Sequence, residues 1–118
     1  MPKRILIAED DPLSRKYLGA WLADIGYEVK LASDGGEALD LLDNSSFDLV
    51  LSDIRMPRVD GNVVVSHLRS ISPSTPFIIL SAYPDDAGDV CRMPKAILMT
   101  KPFLIEELES KIRFFLER

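Results

Sequence analysis

The chain has 118 residues, of which 47% are hydrophobic and 28% charged, a balance typical of one globular domain with a single core. No apolar run reaches the roughly 18 residues that a membrane span needs, and a net charge of −5 without a basic cluster argues against nucleic-acid contact by this domain. The lone Cys91 excludes an internal disulfide, and the short apolar stretch near the start is not a secretion signal, so we expect a cytoplasmic protein without membrane contact.

Five short apolar runs alternate with longer amphipathic segments. They predict β-strands at residues 4–8, 28–32, 47–52, 77–81 and 96–100. The second run alternates polar and apolar residues, which predicts an edge strand. The other four are nearly continuous apolar runs, which are typical of strands covered on both faces.

The segments between these runs predict helices. Asp11 and Pro12 begin the first one, whose apolar stripe comprises Leu13, Tyr17, Leu18, Trp21, Leu22 and Ile25. Asp34 followed by Glu37 predicts a capping box and a second helix to about residue 43, and a third helix is expected over 62–70. The last helix begins after Leu104, which lacks a capping side chain, and we expect it to reach the end of a single domain, 1–118.

The segment between the fourth and fifth strands contains Pro84, Gly88 and Pro94, which all disfavour a helix. We therefore expect a short or irregular fourth helix, from about 85 to 92. Strand–helix alternation predicts an α/β fold of the flavodoxin-like type, with a five-stranded parallel sheet in the order 2-1-3-4-5 and helices on both faces.

In such a sheet, ligands bind beyond the carboxyl ends of the strands, between strands 1 and 3. Glu9 and Asp10 follow strand 1, and Asp53 follows strand 3. Carboxylates gathered without His or Cys favour a hard cation, Mg²⁺ first and Mn²⁺ as the alternative. Two further strand ends add the Ser81 hydroxyl and the Lys101 amine, which complete the donors that phosphoryl transfer needs.

Four sequence motifs occur in order along almost the whole chain. They are Ile-Leu-Ile-Ala-Glu-Asp-Asp-Pro at 5–12, Ser-Asp-Ile-Arg-Met-Pro-Arg-Val-Asp-Gly at 52–61, Ser-Ala at 81–82 and Lys-Pro-Phe at 101–103. Together they resemble the bacterial response-regulator receiver domain, including chemotaxis regulators. The resemblance implies that Asp53 accepts a phosphoryl group from a histidine kinase or phosphotransfer protein in a two-component phosphorelay. Such a domain is a phosphorylated switch that controls an output protein or domain, and is not an enzyme acting on a separate substrate.

The resemblance also implies a role for each site residue. Asp10, Asp53 and the main-chain carbonyl of Arg55 would bind the metal ion, with Glu9 acting through a metal-bound water. Ser81, Ala82 and Lys101 would bind the phosphoryl group, and the bond between Lys101 and Pro102 would be cis. The output partner is not identified by these motifs, and a monomer or a phosphorylation-dependent dimer is expected.

The sequence departs from the family pattern at Leu98, where an aromatic switch residue is common. Arg55 and Tyr83 flank the proposed phosphoryl site, and we hypothesise that they screen the acyl phosphate from water and alter its lifetime. His67 is interpreted as a surface or boundary residue, and Trp21 and Cys91 as packing residues.

Two alternative functions remain. The first is a degenerate receiver that acts as a constitutive docking module, although all the chemical positions are filled. The second is a phosphatase with an aspartate nucleophile, but such an enzyme needs a second Asp as general acid where this chain has Arg55.

Overall fold

The computed structural model describes residues 2–83, 85, 88 and 92–117. Its five strands are β1 (Arg4–Ala8), β2 (Glu28–Ala32), β3 (Leu49–Asp53), β4 (Phe77–Ser81) and β5 (Ala96–Thr100). All neighbouring pairs are parallel, and the order across the sheet is β2-β1-β3-β4-β5. The predicted flavodoxin-like α/β fold is therefore confirmed, and the carboxyl ends of β1 and β3 lie side by side.

Four α-helices cover the sheet. They are α1 (Pro12–Ile25), α2 (Gly35–Asn44), α3 (Gly61–Ile71) and α4 (Ile105–Leu116). The first three begin at Asp11, Asp34 and Asp60, whose side chains each accept a hydrogen bond from the backbone N–H three residues later. Leu104 precedes α4 without a side-chain cap, as predicted. Within the described part of the chain, no helix is long and apolar enough to cross a membrane.

The sheet separates two apolar clusters. One contains Leu22 of α1 and Leu108 of α4, and the other contains Leu42 of α2 and Val65 of α3. Alternate residues of the central strands enter opposite clusters, because successive side chains of a strand point to opposite faces. This double packing fixes the central strands, and therefore fixes the strand ends that carry the site.

Three details of the sequence prediction were wrong. Strand β3 covers Leu49–Asp53 and not 47–52, so Asp53 itself is the last residue of the strand. The apolar run of β5 predicted a strand covered on both faces, but this strand is mostly half-buried, because it lies at the edge of the sheet. Leu13 and Tyr17 are 78% and 61% exposed, because the first turns of α1 lie at the carboxyl ends of the strands, beyond the core.

Between β4 and β5, the structure describes Asp85, Gly88 and Arg92, of which Asp85 and Arg92 lie in short 3₁₀ turns and Gly88 has a left-handed backbone, with φ of 52°. The prediction of a short or irregular fourth helix falls otherwise on residues outside the described part of the chain, as does the packing role of Cys91. After this segment, Lys95 has a left-handed backbone, with φ of 60°, where the chain turns into β5.

Candidate functional site

Three carboxylates converge at the carboxyl ends of β1 and β3. The two strands are neighbours, and Ala8 lies opposite Ser52, which brings Glu9 and Asp10 beside Asp53. One oxygen from each carboxylate lies within 4.8 Å of the others. Glu9 and Asp53 are only 2% and 4% exposed, whereas Asp10 is exposed. The cluster therefore has a buried floor and one side open to solvent.

Lys101 joins two of these carboxylates from the end of β5. Its Nζ lies 2.7 Å from Asp53 Oδ1 and 3.2 Å from Glu9 Oε1. Its backbone N–H donates to the Ser81 carbonyl at 2.8 Å, which holds the end of β5 beside β4. The bond from Lys101 to Pro102 is cis, in agreement with the prediction.

The charges of this cluster do not balance. Burial, reinforced by the hydrogen bond to Glu9, raises the pKa of Asp53 to about 8, and Lys101 only partly opposes the rise. Burial also disfavours the charge of Glu9, but hydrogen bonds to Asp53 and from the Asp11 N–H, together with Lys101, hold its pKa below the ordinary value. Burial acts on Lys101 as well, but its contacts with Asp53 and Glu9 raise its pKa. The buried pair of carboxylates therefore needs a proton or a further cation.

This donor set matches a divalent metal ion. The three carboxylates supply hard oxygen ligands, which Mg²⁺ prefers, and the open side leaves room for the waters that Mg²⁺ retains. The additional positive charge would also balance the buried carboxylates. Asp11 has a different task, since it accepts the hydrogen bond of the Ser14 N–H at 2.9 Å and caps α1.

The Ser81 hydroxyl at the end of β4 is already engaged. It donates to the Tyr83 carbonyl and accepts from the Tyr83 N–H, both at 2.9 Å. Ala82 lies between these two residues in the chain and lines the cavity above the carboxylates. Any new acceptor for this hydroxyl must therefore replace the Tyr83 carbonyl.

A cation–π pair lies at the rim. The Arg55 guanidinium carbon is 3.9 Å from the centre of the Tyr83 ring, and both side chains line a cavity of about 190 Å³ together with the carboxylates, Ser81 and Lys101. Both are exposed, and Tyr83 is 55% exposed. The sequence placed both residues beside the site but did not predict the stacked contact between them.

The other positions considered from the sequence lie away from this cavity. Leu98 is half-buried and packs against the cluster beneath α2 and α3. His67 lies on α3, 2.7 Å from Asp43 of α2, and is a boundary residue as predicted. Trp21 packs against the cluster beneath α1 and α4.

A second cavity, which the sequence did not predict, adjoins the site. This groove has a volume of about 680 Å³ and lies between α1 and the start of α4, with Tyr17, Phe103 and Leu104 among its apolar lining. Glu9, Ala82 and Lys101 line both cavities, so the groove is continuous with the carboxylate cluster. The apolar residues after the cis bond were the only sequence signal for it.

Comparison with known proteins gives a consistent result. The family model of the response regulator receiver domain matches residues 5–113. The response regulator MprA of Mycobacterium sp. (strain KMS) is 40% identical over 120 residues, which cover 100% of this chain and 52% of the relative. The chain thus spans about half the length of the curated relatives it matches.

Two solved structures of similar proteins contain magnesium. The response regulator TrrA of Thermotoga maritima, in complex with Mg²⁺-BeF, is 33% identical with a TM-score of 0.86, covering 97% of this chain and 99% of its own. The receiver domain of a sensor histidine kinase from Pseudomonas aeruginosa PAO1, with magnesium coordinated in the active site cleft, is 27% identical with a TM-score of 0.86, covering 100% of both chains. The chain described here belongs to the response regulator receiver domain family, the signalling domains of two-component systems.

Proposed function

We propose that this domain accepts a phosphoryl group on Asp53 from the phosphohistidine of a kinase or phosphotransfer protein. The observation that carries the proposal is the buried Asp53 carboxylate, with Glu9, Asp10 and Lys101 around it at the bottom of an open cavity. This arrangement provides a nucleophile and fixed positive charge at one point.

In the transfer, an Asp53 carboxylate oxygen attacks phosphorus and forms an acyl phosphate, while the bond from phosphorus to the histidine nitrogen breaks. The leaving imidazole keeps the electron pair of that bond and takes up a proton. Glu9, Asp10, Asp53 and the Arg55 carbonyl would hold Mg²⁺ or, as the alternative, Mn²⁺. When bound, the metal ion favours the ionised form of Asp53 and neutralises charge on the phosphoryl oxygens.

The residues around Asp53 then exchange partners. Lys101 pairs with a phosphoryl oxygen instead of the Asp53 carboxylate, and the Ala82 N–H is available as a further donor. Ser81 gives up its hydrogen bond to the Tyr83 carbonyl and donates to another phosphoryl oxygen. These exchanges alter the loop that follows β4, which is how the site would change the binding of an output protein or domain.

The test is intact-mass spectrometry after incubation with acetyl phosphate, with Mg²⁺ and with a chelator. The wild type should gain one phosphate only with Mg²⁺, and Asp53→Asn should gain none. Asp60→Asn is the matched control, because Asp60 is an exposed helix cap and Asn caps equally well. Addition that persists in Asp53→Asn would assign the wrong acceptor, and a wild type that gains no phosphate would favour a constitutive docking module.

A further inference from the structure

The loop that follows Asp53 lies against the first turn of α2. This loop, residues 54–60, carries Arg55, and its last residues contact the two glycines that begin the helix, Gly35 and Gly36. Both glycines are buried. The contact joins the start of α2 to the loop whose backbone follows Asp53.

The two glycines face different parts of the loop. A Cβ built on Gly35 would lie 1.8 Å from the Val59 carbonyl oxygen and 2.7 Å from the Val59 Cβ. A Cβ built on Gly36 would lie 1.9 Å from Nη2 of Arg58. The first obstacle is backbone, whereas the second is the end of an exposed side chain, whose guanidinium lies 3.7 Å from Asp34 and can move at the cost of that surface contact alone.

The loop has little freedom to retreat from Gly35. Val59 packs against the apolar cluster beneath α2 and α3, and its N–H donates to the Pro57 carbonyl at 2.8 Å. Arg58 has a φ of 70°, which a non-glycine residue keeps only while its surroundings hold it. The loop is therefore fixed by its packing on α2, and a side chain at Gly35 would have to move the loop backbone by more than about 1 Å.

The other end of the loop is fixed behind the phosphoacceptor. The Gly61 N–H donates to the Ile54 carbonyl at 2.7 Å, and a Cβ on Gly61 would lie 2.0 Å from the Asp53 carbonyl oxygen. Because this end of the loop cannot move, a displacement of Val59 must change the backbone conformation of the residues between Ile54 and Val59. Arg55 lies between these two fixed points.

We infer that Gly35 is a positioning residue for the divalent-cation site. Its missing side chain lets the Val59 backbone lie against α2, and this contact sets the position of the loop and of the Arg55 main-chain carbonyl. The inference rests on the proposed function, in which that carbonyl binds the metal ion. It gives the start of α2 a role in metal affinity.

The experiment measures Mg²⁺ affinity by NMR titration of backbone amides in the wild type, Gly35→Ala and Gly36→Ala. Gly36→Ala is the matched control, since it makes the same change one residue later, where only a side chain must move. Gly35→Ala should bind Mg²⁺ about tenfold more weakly, the usual effect of disturbing a residue that orients a metal ligand. Gly36→Ala should stay within about twofold of the wild type. The amide resonances of the loop should shift in metal-free Gly35→Ala but not in Gly36→Ala.

Thermal unfolding with chelator shows whether each variant is folded. If Gly35→Ala does not fold, Val59→Ala loosens the loop without touching α2 and should also weaken Mg²⁺ binding. A folded Gly35→Ala with wild-type affinity, or an unchanged Val59→Ala in its place, would overturn the inference alone. A wild type that does not bind Mg²⁺ would instead contradict the metal role in the proposed function, and the inference with it.

Discussion

Replacing Asp53 with Asn should make the metal-free protein more stable at neutral pH. The wild-type carboxyl is buried beside Glu9, and its pKa is raised to about 8 from an ordinary value of 3.8. The folded state therefore holds a proton on this group between about pH 4 and pH 8, where the unfolded chain has released it. Since the folded state binds more protons, the free energy of unfolding falls as pH rises through this range.

The magnitude follows from this shift. At pH 7, retaining a proton on a group whose ordinary pKa is 3.8 costs about 4 kcal/mol. Asn carries no charge and avoids this cost, but it cannot reproduce both contacts of the protonated carboxyl, one with Glu9 and one with Lys101, and this loss offsets roughly half of the gain. We therefore expect Asp53→Asn to be more stable by about 2 kcal/mol, or roughly 6–10 °C in Tm for a domain of this size.

The assay is thermal and urea unfolding with a chelator at pH 4, 5.5 and 7.5. Asp53→Asn should be less stable than the wild type at pH 4, about equally stable near pH 5.5 and more stable at pH 7.5, because the cost of the retained proton grows with pH up to about pH 8. Asp60→Asn, at an exposed cap, should show no such gain. A gain of equal size at pH 4 and pH 7.5, or an Asp53→Asn variant that is less stable at pH 7.5, would refute the argument from buried charge.

Three other predictions concern single contacts. Arg69 donates to the carbonyls of Pro73, Thr75 and Pro94, and its guanidinium lies over the Phe77 ring. Arg69→Met should therefore lower the free energy of unfolding, measured in urea, by about 2 kcal/mol, and a loss below about 0.5 kcal/mol would contradict this role. Leu104→Ser adds the missing cap of α4 and should raise that free energy by about 1 kcal/mol, whereas an unchanged urea midpoint would show that the cap is not limiting. If the stacked Arg55 and Tyr83 side chains screen the acyl phosphate from water, the double alanine variant should dephosphorylate about threefold faster in a mass-spectrometric time course, and an unchanged rate would remove the hypothesis.

Much of the fold could be predicted from the sequence, because most of the apolar runs begin and end at the same residues as the strands. Four of the five strands have the predicted bounds, and the acids that follow β1 lie beside the acid that ends β3. The run at β3 was placed too early because Phe47 is buried without belonging to the strand. Hydrophobicity reports burial, and a strand is defined by its hydrogen bonds, so the two need not begin at the same residue.

The remaining features depend on distances between residues far apart in the chain. Periodicity placed Tyr17 on the apolar face of α1, but it could not show that this part of the face extends beyond the sheet. The contact of Lys101 with Glu9 joins residues 92 positions apart. The packing of Val59 on Gly35 leaves no pattern in the sequence, because a glycine near a helix start is equally consistent with an ordinary turn.

The closed hydrogen-bond ring between Ser81 and Tyr83 has a consequence for background signalling. A molecule that moves its Ser81 hydroxyl toward an empty phosphoryl position loses a bond to the Tyr83 carbonyl and gains nothing in return. The net cost of about 1 kcal/mol makes this arrangement roughly fivefold rarer than the resting one. If phosphorylation acts through this hydroxyl, as proposed, the contact between Ser81 and Tyr83 by itself lowers the background population of the switched arrangement about fivefold.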